Sequence, residues 1–405
     1  MSLLTPADIE DIKARNPLRE VAAQYVQLRR SGKRLAGPCP MCGGKQRSGR
    51  FEILEDGGSW VCAVCQDGGD VIRLVQRVEG LDFKDAIERL GGVREIDPNV
   101  IARLTAERER KQREREAQAA GFREDERKRL WTLWQAARPL PGTPAADYLA
   151  GRGLAIPEAC PGLRYHAEVA YFDGKEVDDF GRESPRVLHR GPAMLGAFIR
   201  TDGHFGGLHI TWLDGATPPR KLKLIDPDVV GPSRPGEQPL LPAKKMRGSK
   251  TAAYILVRPA CTAPSWCWVV GEGIETVLSV FTAYEATGRD PAGVTFIAAG
   301  DLGNLGGPHL DKVPHPTLKT ATGRPRNIPG PVPDLAQPAI AIPNEVTELI
   351  LLGDGDSEPV LTRHAMTRAA RRYAREGRTI RIAFAPDGMD FNDVLLESAQ
   401  EGGKW

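Results

Sequence analysis

The sequence VTELILLGDGDSEP, residues 346–359, shows how the C-terminal part of this chain is organised. An apolar run ends abruptly at Asp354 and Asp356, which are separated by one glycine. The same arrangement, an apolar strand followed by acidic residues, occurs three more times between about residues 264 and 398. Helical patterns separate these strands, and this alternation predicts a parallel α/β sheet.

Acidic residues follow each of the four predicted strands, the first of which covers residues 266–270. They are Glu272, Asp301, the pair Asp354 and Asp356, and Asp390 with Asn392 and Asp393. The carboxyl ends of parallel strands lie at one edge of a sheet, where α/β proteins bind ligands. Carboxylates gathered there repel one another unless a hard divalent cation lies between them. The pattern therefore predicts a Mg²⁺ or Mn²⁺ site of the kind used in phosphoryl chemistry.

Each acidic residue also has an ordinary structural explanation. Asp354 and Asp390 are suitable N-caps for the helices that follow them. Glu275 is favoured in a first helical turn by the helix dipole, and Asp301 suits a Gly-Asn turn. Four caps that happen to share one edge are the weaker explanation of the whole set.

Four of the seven cysteines form two C-x-x-C pairs, Cys39/Cys42 and Cys62/Cys65. This spacing predicts a tetrahedral metal site, most simply a structural zinc on which folding depends. The segment between the pairs, FEILEDGGSWVC, predicts a β-hairpin that turns at residues 56–58. Basic residues surround Phe51 and Trp60, which suits either single-stranded nucleic acid or a small core with solvated charges. The sequence does not decide between the two.

The 405 residues carry a formal net charge of +2, so a nucleic-acid surface has to be local. No long apolar run predicts a membrane span, and the N-terminus has no signal-peptide pattern, so we expect a cytoplasmic protein. Composition divides the chain into residues 1–94 with the cysteines, a charged helical linker 95–138, a Gly- and Pro-rich segment 139–262 and the α/β region 263–405. A proline-rich insertion, residues 308–343, is predicted to be a long loop.

The segments EGIET, DGD and PDGMDFNDVL, in that order, resemble the Toprim domain of DnaG-type primases and topoisomerases. A zinc module placed before Toprim resembles the phage and plasmid primases in particular. DYLAGRGL, GLHITWLDGATPPRKLKL and KKMRGSK resemble the basic subdomain of those primases. The resemblance implies a multidomain α/β protein with a zinc ribbon, a mixed α+β basic subdomain and a Toprim domain whose parallel sheet is flanked by helices.

The resemblance also implies roles for the acidic residues. Glu272 matches a metal ligand or acid/base group, Asp354 and Asp356 match the paired metal-binding aspartates, and Asp390 matches a position that supports a second metal. Asn392 stands where the family has a further acid. All four zinc ligands here are cysteines, whereas many DnaG-type modules include a histidine.

The implied activity is the synthesis of short RNA primers on single-stranded DNA from nucleoside triphosphates, with Mg²⁺ or Mn²⁺ as cofactor. A separate replicative helicase is a possible partner. Seven basic residues are candidates for binding template or nucleotide: Lys45, Arg47, Lys221, Lys223, Lys244, Lys245 and Arg247. The alternatives are a Toprim-type metal-dependent nuclease and a non-catalytic zinc-dependent DNA-binding protein.

Overall fold

The computed structural model describes residues 5–44, 49–54, 57–92, 98–229, 238–320 and 323–400. The candidate residues Lys45 and Arg47 lie outside these ranges. The chain divides into two compact units, Met1–Gln118 and Ala119–Trp405. In the described part of the chain, every helix is too short or too polar to cross a membrane.

The first unit contains a five-stranded antiparallel sheet in the order β1-β2-β3-β4-β5. The strands are β1 (Arg29–Ser31), β2 (Arg34–Gly37), β3 (Phe51–Ile53), β4 (Trp60–Cys62) and β5 (Asp67–Gly69). The helices are α1 (Pro6–Arg15), α2 (Leu18–Ala23), α3 (Val71–Glu79) and α4 (Phe83–Arg89). β3 and β4 pair directly, so the predicted hairpin is confirmed.

Phe51 and Trp60 form the centre of this unit. Their rings stack with centroids 5.3 Å apart, and both side chains are fully buried. Because both side chains point inward from the hairpin, the alternative in which they stack on nucleic acid is wrong, and the core interpretation holds.

The charged segment forms the long helix α5 (Pro98–Ala136), as the sequence predicts. Its middle turns are exposed and carry ion pairs one turn apart, such as Lys111–Glu107 at 2.8 Å and Arg113–Glu109 at 3.1 Å. Such pairs support a solvated helix that has little apolar surface to bury.

The second unit is built on one ten-stranded sheet. Its strands are β6 (Arg138–Pro139), β7 (Leu163–Val177), β8 (Glu183–Arg200), β9 (Phe205–Trp212), β12 (Lys244–Gly248), β13 (Ala253–Arg258), β14 (Cys267–Gly271), β15 (Val294–Ala298), β18 (Glu348–Gly353) and β19 (Thr379–Phe384). Two small sheets lie outside it: β10 (Leu224–Ile225) with β11 (Leu240–Leu241), and β16 (Lys312–Lys319) with β17 (Pro325–Pro329). The helices are α6 (Pro144–Ala150), α7 (Ile274–Ala286), α8 (Leu302–Gly306), α9 (Pro359–Tyr373) and α10 (Phe391–Gln400).

The four predicted strands after residue 264 are β14, β15, β18 and β19, and they are parallel in the order β15-β14-β18-β19. The prediction of a parallel sheet is confirmed. Val277 and Leu278 of α7 pack on one side of it, and Met366 and Ala369 of α9 pack in a separate apolar cluster with Leu349. Helices therefore cover both faces of β14, β15 and β18, whose side chains are mostly buried, whereas β19 at the edge of the sheet is largely exposed.

The sheet continues across the predicted boundary between residues 262 and 263. β13 pairs antiparallel with β8 on one side and with β15 on the other. Division of this unit into a basic subdomain and a catalytic domain therefore stays a prediction, although one sheet joins the two segments.

The insertion 308–343 differs from the predicted long loop because it contains the hairpin β16–β17. Its prolines are tolerated because the hairpin is a separate two-stranded sheet with unpaired outer edges. Arg368 of α9, which is 3% exposed, donates hydrogen bonds to the carbonyl oxygens of Gly307 (2.9 Å) and Gly330 (2.7 Å). The bond to Gly330 fixes the insertion to α9, and the bond to Gly307 fixes the residue just before it.

Candidate metal and phosphate site

The four cysteines of the two C-x-x-C pairs converge in the first unit, and their sulfur atoms all lie within 4.8 Å of one another. The Sγ atoms of Cys39 and Cys65 are 3.7 Å apart, and those of Cys42 and Cys62 are 3.8 Å apart. A tetrahedral zinc with Zn–S bonds of about 2.3 Å requires sulfur atoms about 3.8 Å apart. The quartet therefore fits zinc, and with four protein ligands it fits a structural site.

Two carboxylates lie at the carboxyl ends of neighbouring parallel strands. Glu272 follows β14 and Asp354 follows β18, and these strands pair up to Gly271 and Leu352. Oε2 of Glu272 and Oδ1 of Asp354 are buried and have no hydrogen-bond partner among the described residues. The other oxygen of Asp354 accepts a hydrogen bond of 2.9 Å from the Thr276 hydroxyl.

The environment of these two carboxyl groups favours their protonated forms. Burial raises the pKa of Glu272 to about 7, and the charges of Asp354 and Asp356 add to this effect. Burial also raises the pKa of Asp354 to about 6, with Asp390 and Asp356 contributing and the Thr276 hydrogen bond opposing. A divalent cation removes both penalties, because it neutralises the charge and occupies the free oxygen atoms. The two buried, unpartnered oxygens of Glu272 and Asp354 therefore suit a hard divalent cation. Among the described residues, however, the cysteine quartet is the one group of three or more potential metal ligands that lie within 4.8 Å of one another, and the acidic residues of the sheet edge are more widely spaced.

Asp390 begins α10 and forms a reciprocal cap with Asp393. Its Oδ1 accepts from the Asp393 amide at 2.8 Å, and Oδ2 of Asp393 accepts from the Asp390 amide at 3.1 Å. The capping explanation thus applies to Asp390, while its charge still acts on Asp354. Asn392 is 1% exposed and donates to the carbonyl of Arg152 at 2.9 Å.

Asp301 has the local role that the turn explanation describes. It caps α8 through a 2.7 Å hydrogen bond from the Asn304 amide, and its other oxygen pairs with Lys250. The sequence alone grouped Asp301 with the metal-binding acids, but these contacts already use both of its carboxylate oxygens.

Gly355 allows the loop between Asp354 and Asp356 to approach another segment closely. A Cβ at this position would lie 2.1 Å from the carbonyl oxygen of Pro386. The Gly355 amide also donates to the Met389 carbonyl at 2.9 Å. These contacts join the two loops that carry Asp354 and Asp390.

We expect Gly355→Ala to lower the free energy of unfolding by about 2 kcal/mol or more, because backbone atoms have to move to admit the methyl group. Chemical denaturation measures this change. The matched control is Gly215→Ala, because a Cβ at Gly215 meets nothing within 4 Å. Equal stability of the two variants would contradict the close approach.

A second cluster, which the sequence did not reveal, surrounds Glu275 on α7. Glu275 is 7% exposed; its Oε2 accepts from Lys221 at 2.9 Å and from Lys244 at 3.2 Å, and its Oε1 accepts from the Tyr148 hydroxyl. Burial alone would raise the pKa of Glu275, but Lys244 and Lys221 outweigh it and lower the pKa to about 2. The two lysines lie 54 and 31 residues before Glu275, so no local spacing signals the cluster.

The other basic candidates that the structure describes, Lys223, Lys245 and Arg247, do not join this cluster. Lys245 pairs with Asp173 at 2.7 Å, and Arg247 pairs with Glu126 at 2.6 Å. Lys223 is exposed. Of the candidates that the structure describes, Lys221 and Lys244 are therefore the two that lie at Glu275, three residues along the chain from Glu272.

Two family models match this chain. Residues 4–105 match the CHC2 zinc finger, and residues 124–255 match a domain of unknown function, DUF7146. Similar curated proteins are DNA primases: that of Enterococcus faecalis is 33% identical over 88 residues, and that of Mycobacterium leprae is 38% identical over 84 residues. These matches cover 22% and 20% of this chain, but only 14% and 13% of the respective primases.

Solved structures of primases also resemble this chain, at low similarity. The zinc-binding and RNA polymerase domains of the Aquifex aeolicus primase align over 100% of this chain and 83% of that one, with 14% identity and a TM-score of 0.34. The catalytic domain of a DnaG primase bound to single-stranded DNA aligns over 71% of this chain and 81% of that one, with 15% identity and a TM-score of 0.36.

The resemblance to DnaG-type DNA primases is confirmed in the zinc-binding region. The family match and the sulfur geometry together identify the quartet as a Zn²⁺ site. The phage or plasmid branch stays a prediction.

Proposed function

We propose that this protein is a DNA primase, which joins ribonucleotides into short primers on single-stranded DNA. The observation that carries the proposal is the match of residues 4–105 to the CHC2 zinc finger, together with the similarity of 88 residues of this chain to a curated DNA primase. The carboxylates at the sheet edge supply the second requirement, a place for divalent cations. We also place the protein in the cytoplasm, where we expect its DNA template to lie.

Glu272, Asp354 and Asp356 would hold Mg²⁺ or Mn²⁺ in this proposal, with Asp390 adding negative charge nearby. The bound cation would lower the pKa of the attacking 3′-hydroxyl and neutralise the triphosphate as pyrophosphate leaves. The unpartnered oxygens of Glu272 and Asp354 support this assignment, because they are hard, anionic and buried.

Lys221 and Lys244 would contact the phosphates of the nucleotide. Both are anchored by Glu275, so their ammonium groups are held in place before the nucleotide binds. Fixed charges lose little freedom when the substrate arrives, and they would stabilise the negative charge on the phosphoryl oxygens in the transition state.

A metal-dependent nuclease is the main alternative, because the same carboxylates can serve phosphodiester hydrolysis. A non-catalytic DNA-binding protein is the other. Primer synthesis from labelled ribonucleotides on mixed-sequence single-stranded DNA, with Mg²⁺ or Mn²⁺, separates the three. Short labelled products support the primase, shortening of the template supports the nuclease, and DNA binding without either reaction supports the third. A helicase partner, if one exists, is then found by adding a replicative helicase to the same reaction.

We expect the affinity for Mg²⁺ to rise steeply between about pH 5 and pH 8. The metal requires ionised carboxylates, and the pKa of Glu272 is about 7 and that of Asp354 about 6 in the metal-free protein. In the metal-free protein both pKa values lie above the ordinary values of 4.5 and 3.8, so the folded state binds more protons than the unfolded chain in this window. Without metal, the free energy of unfolding should therefore fall as the pH rises from about 5 to about 8.

Thermal unfolding as a function of pH, with and without Mg²⁺, measures both effects. Asp354→Asn should flatten the metal-free pH dependence, whereas Asp387→Asn, an exposed residue of the β19–α10 loop, should leave it unchanged. A metal-free stability that stays constant between pH 5 and pH 8 would show that these carboxyl groups ionise normally.

A further inference from the structure

The strands β8, β9 and β12 present one face toward α7. On β9, Leu208, Ile210 and Trp212 pack in an apolar cluster on the opposite face. Side chains alternate along a strand, so His209 and Thr211 point to the face where α7 lies. The pairing supports this, because Thr211 lies opposite Lys244 of β12, whose ammonium group reaches Glu275 of α7.

Both side chains have a buried polar atom that no described residue satisfies. Thr211 is fully buried, and its hydroxyl has no hydrogen-bond partner. Nδ1 of His209 is likewise buried and unpartnered. Burial and the nearby charge of Lys244 lower the pKa of His209 to about 4, so the ring is neutral near pH 7. Unpartnered buried polar groups are unfavourable and uncommon, which suggests that a ligand supplies the missing partners.

The charge around these groups favours an anion. Lys221 and Lys244 share a single carboxylate, Glu275, so each ammonium group keeps hydrogen-bond donors for a second partner. Both lysines are about one-third exposed and can contact a second partner. A phosphate supplies the missing negative charge and accepts several hydrogen bonds at once.

We propose that Thr211 and His209 bind the phosphate tail of a nucleoside triphosphate, together with Lys221 and Lys244. This inference rests on the proposed primase function and names two residues that the basic motifs do not include. The triphosphate is favoured over the template backbone because both lysines bond to Glu275, which lies three residues along the chain from Glu272, one of the proposed metal-binding carboxylates.

Equilibrium binding of a fluorescent nucleoside triphosphate tests the proposal on the full chain. We expect Thr211→Val to weaken binding about tenfold, because one hydrogen bond to a charged group is lost. The same variant should not lower the midpoint of thermal unfolding, because the hydroxyl has no partner in the free protein. Thr295→Val is the matched control: its hydroxyl bonds to the Ala260 amide at 3.2 Å and to Ser265 at 2.9 Å, so the variant should lose stability but keep its affinity.

Two variants of His209 separate the contribution of its Nδ1 atom to triphosphate binding from the contribution of its side-chain volume. We expect His209→Leu to weaken triphosphate binding severalfold or more, and His209→Asn to retain most of it because the amide can replace Nδ1. Inorganic tripolyphosphate should displace the nucleotide from the unaltered protein. For Thr211→Val, the tripolyphosphate concentration that gives equal displacement should be about tenfold higher.

The outcomes distinguish this inference from the function on which it rests. If the unaltered protein binds no nucleoside triphosphate, with or without Mg²⁺, both fail. If it binds and neither Thr211→Val nor His209→Leu changes the affinity, the inference is overturned and the proposed function stands. Weaker binding of single-stranded DNA, with unchanged triphosphate affinity, would also overturn it.

Discussion

The double variant Asp354→Ala/Asp356→Ala is expected to make no detectable primer. Phosphoryl transfer depends almost entirely on positioning and on neutralising charge, and a single well-placed charge is worth roughly 10³–10⁵ in rate. The proposed catalytic ligands are Glu272, Asp354 and Asp356, and the double variant keeps only Glu272. We therefore expect a loss of at least about 10³-fold, to the background of the assay.

The variant should lose activity without losing its fold. Asp354 is half-buried and has one buried, unpartnered oxygen, and Asp356 is exposed. Removing an uncompensated buried charge relieves a penalty, so the metal-free variant should unfold at a midpoint no lower than that of the unaltered protein. Mg²⁺ should raise the midpoint of the unaltered protein and leave that of the variant unchanged.

The control is Asp387→Asn, which removes one exposed carboxylate from the loop that leads to α10. It should retain primer synthesis and the response to Mg²⁺. Retention of activity by the double variant would place the metal elsewhere, and equal loss in the control would show a general electrostatic effect.

Removal of zinc is expected to unfold the first unit and to leave the sheet of the second unit intact. A structural zinc contributes about 10–16 kcal/mol in zinc-finger peptides. A typical domain is stable by only about 5–15 kcal/mol in total, so the small unit cannot compensate for the loss. Cys62→Ser should have the same effect, since Cys62 ends β4 and also provides a sulfur of the quartet.

Hydrogen exchange on the full chain, before and after zinc chelation, measures this result locally. Amides of β3 and β4 should lose protection, and those of β14 and β18 should keep it. Cys261→Ser changes an exposed cysteine outside the quartet, and it should behave like the unaltered protein. Protection of β3 and β4 that survives complete removal of zinc would show that the apolar core around Trp60 is sufficient alone.

The features that could be predicted from the sequence are those with a local pattern. A strand that is buried on both faces is a continuous apolar run, and here each run ends at acidic residues. Both the strand and its end can therefore be recognised in the sequence alone. The cysteine quartet is equally visible, because each C-x-x-C pair specifies a turn of fixed geometry.

The remaining features depend on contacts between distant segments. Glu275 looked like an ordinary residue of a first helical turn, because Lys221, Lys244 and Tyr148 reach it from three other parts of the chain. The same limit applies to Lys245 and Arg247, whose basic character was visible but whose acidic partners were not. The hairpin in the insertion was hidden by its prolines, which exclude central strands but not a separate hairpin.

The continuous sheet of the second unit has a mechanical consequence. The ladders from β9 through β8, β13 and β15 to β14 connect the strand that carries Thr211 to the strand that precedes Glu272. Moving β9 and β14 apart would break backbone hydrogen bonds that are buried in the middle of the sheet. In the part of the unit that the structure describes, this continuous sheet leaves no hinge between the proposed phosphate and metal sites. If the protein is a primase, we therefore expect the large motions of each cycle to come from the nucleotide and the primer and not from separation of these strands.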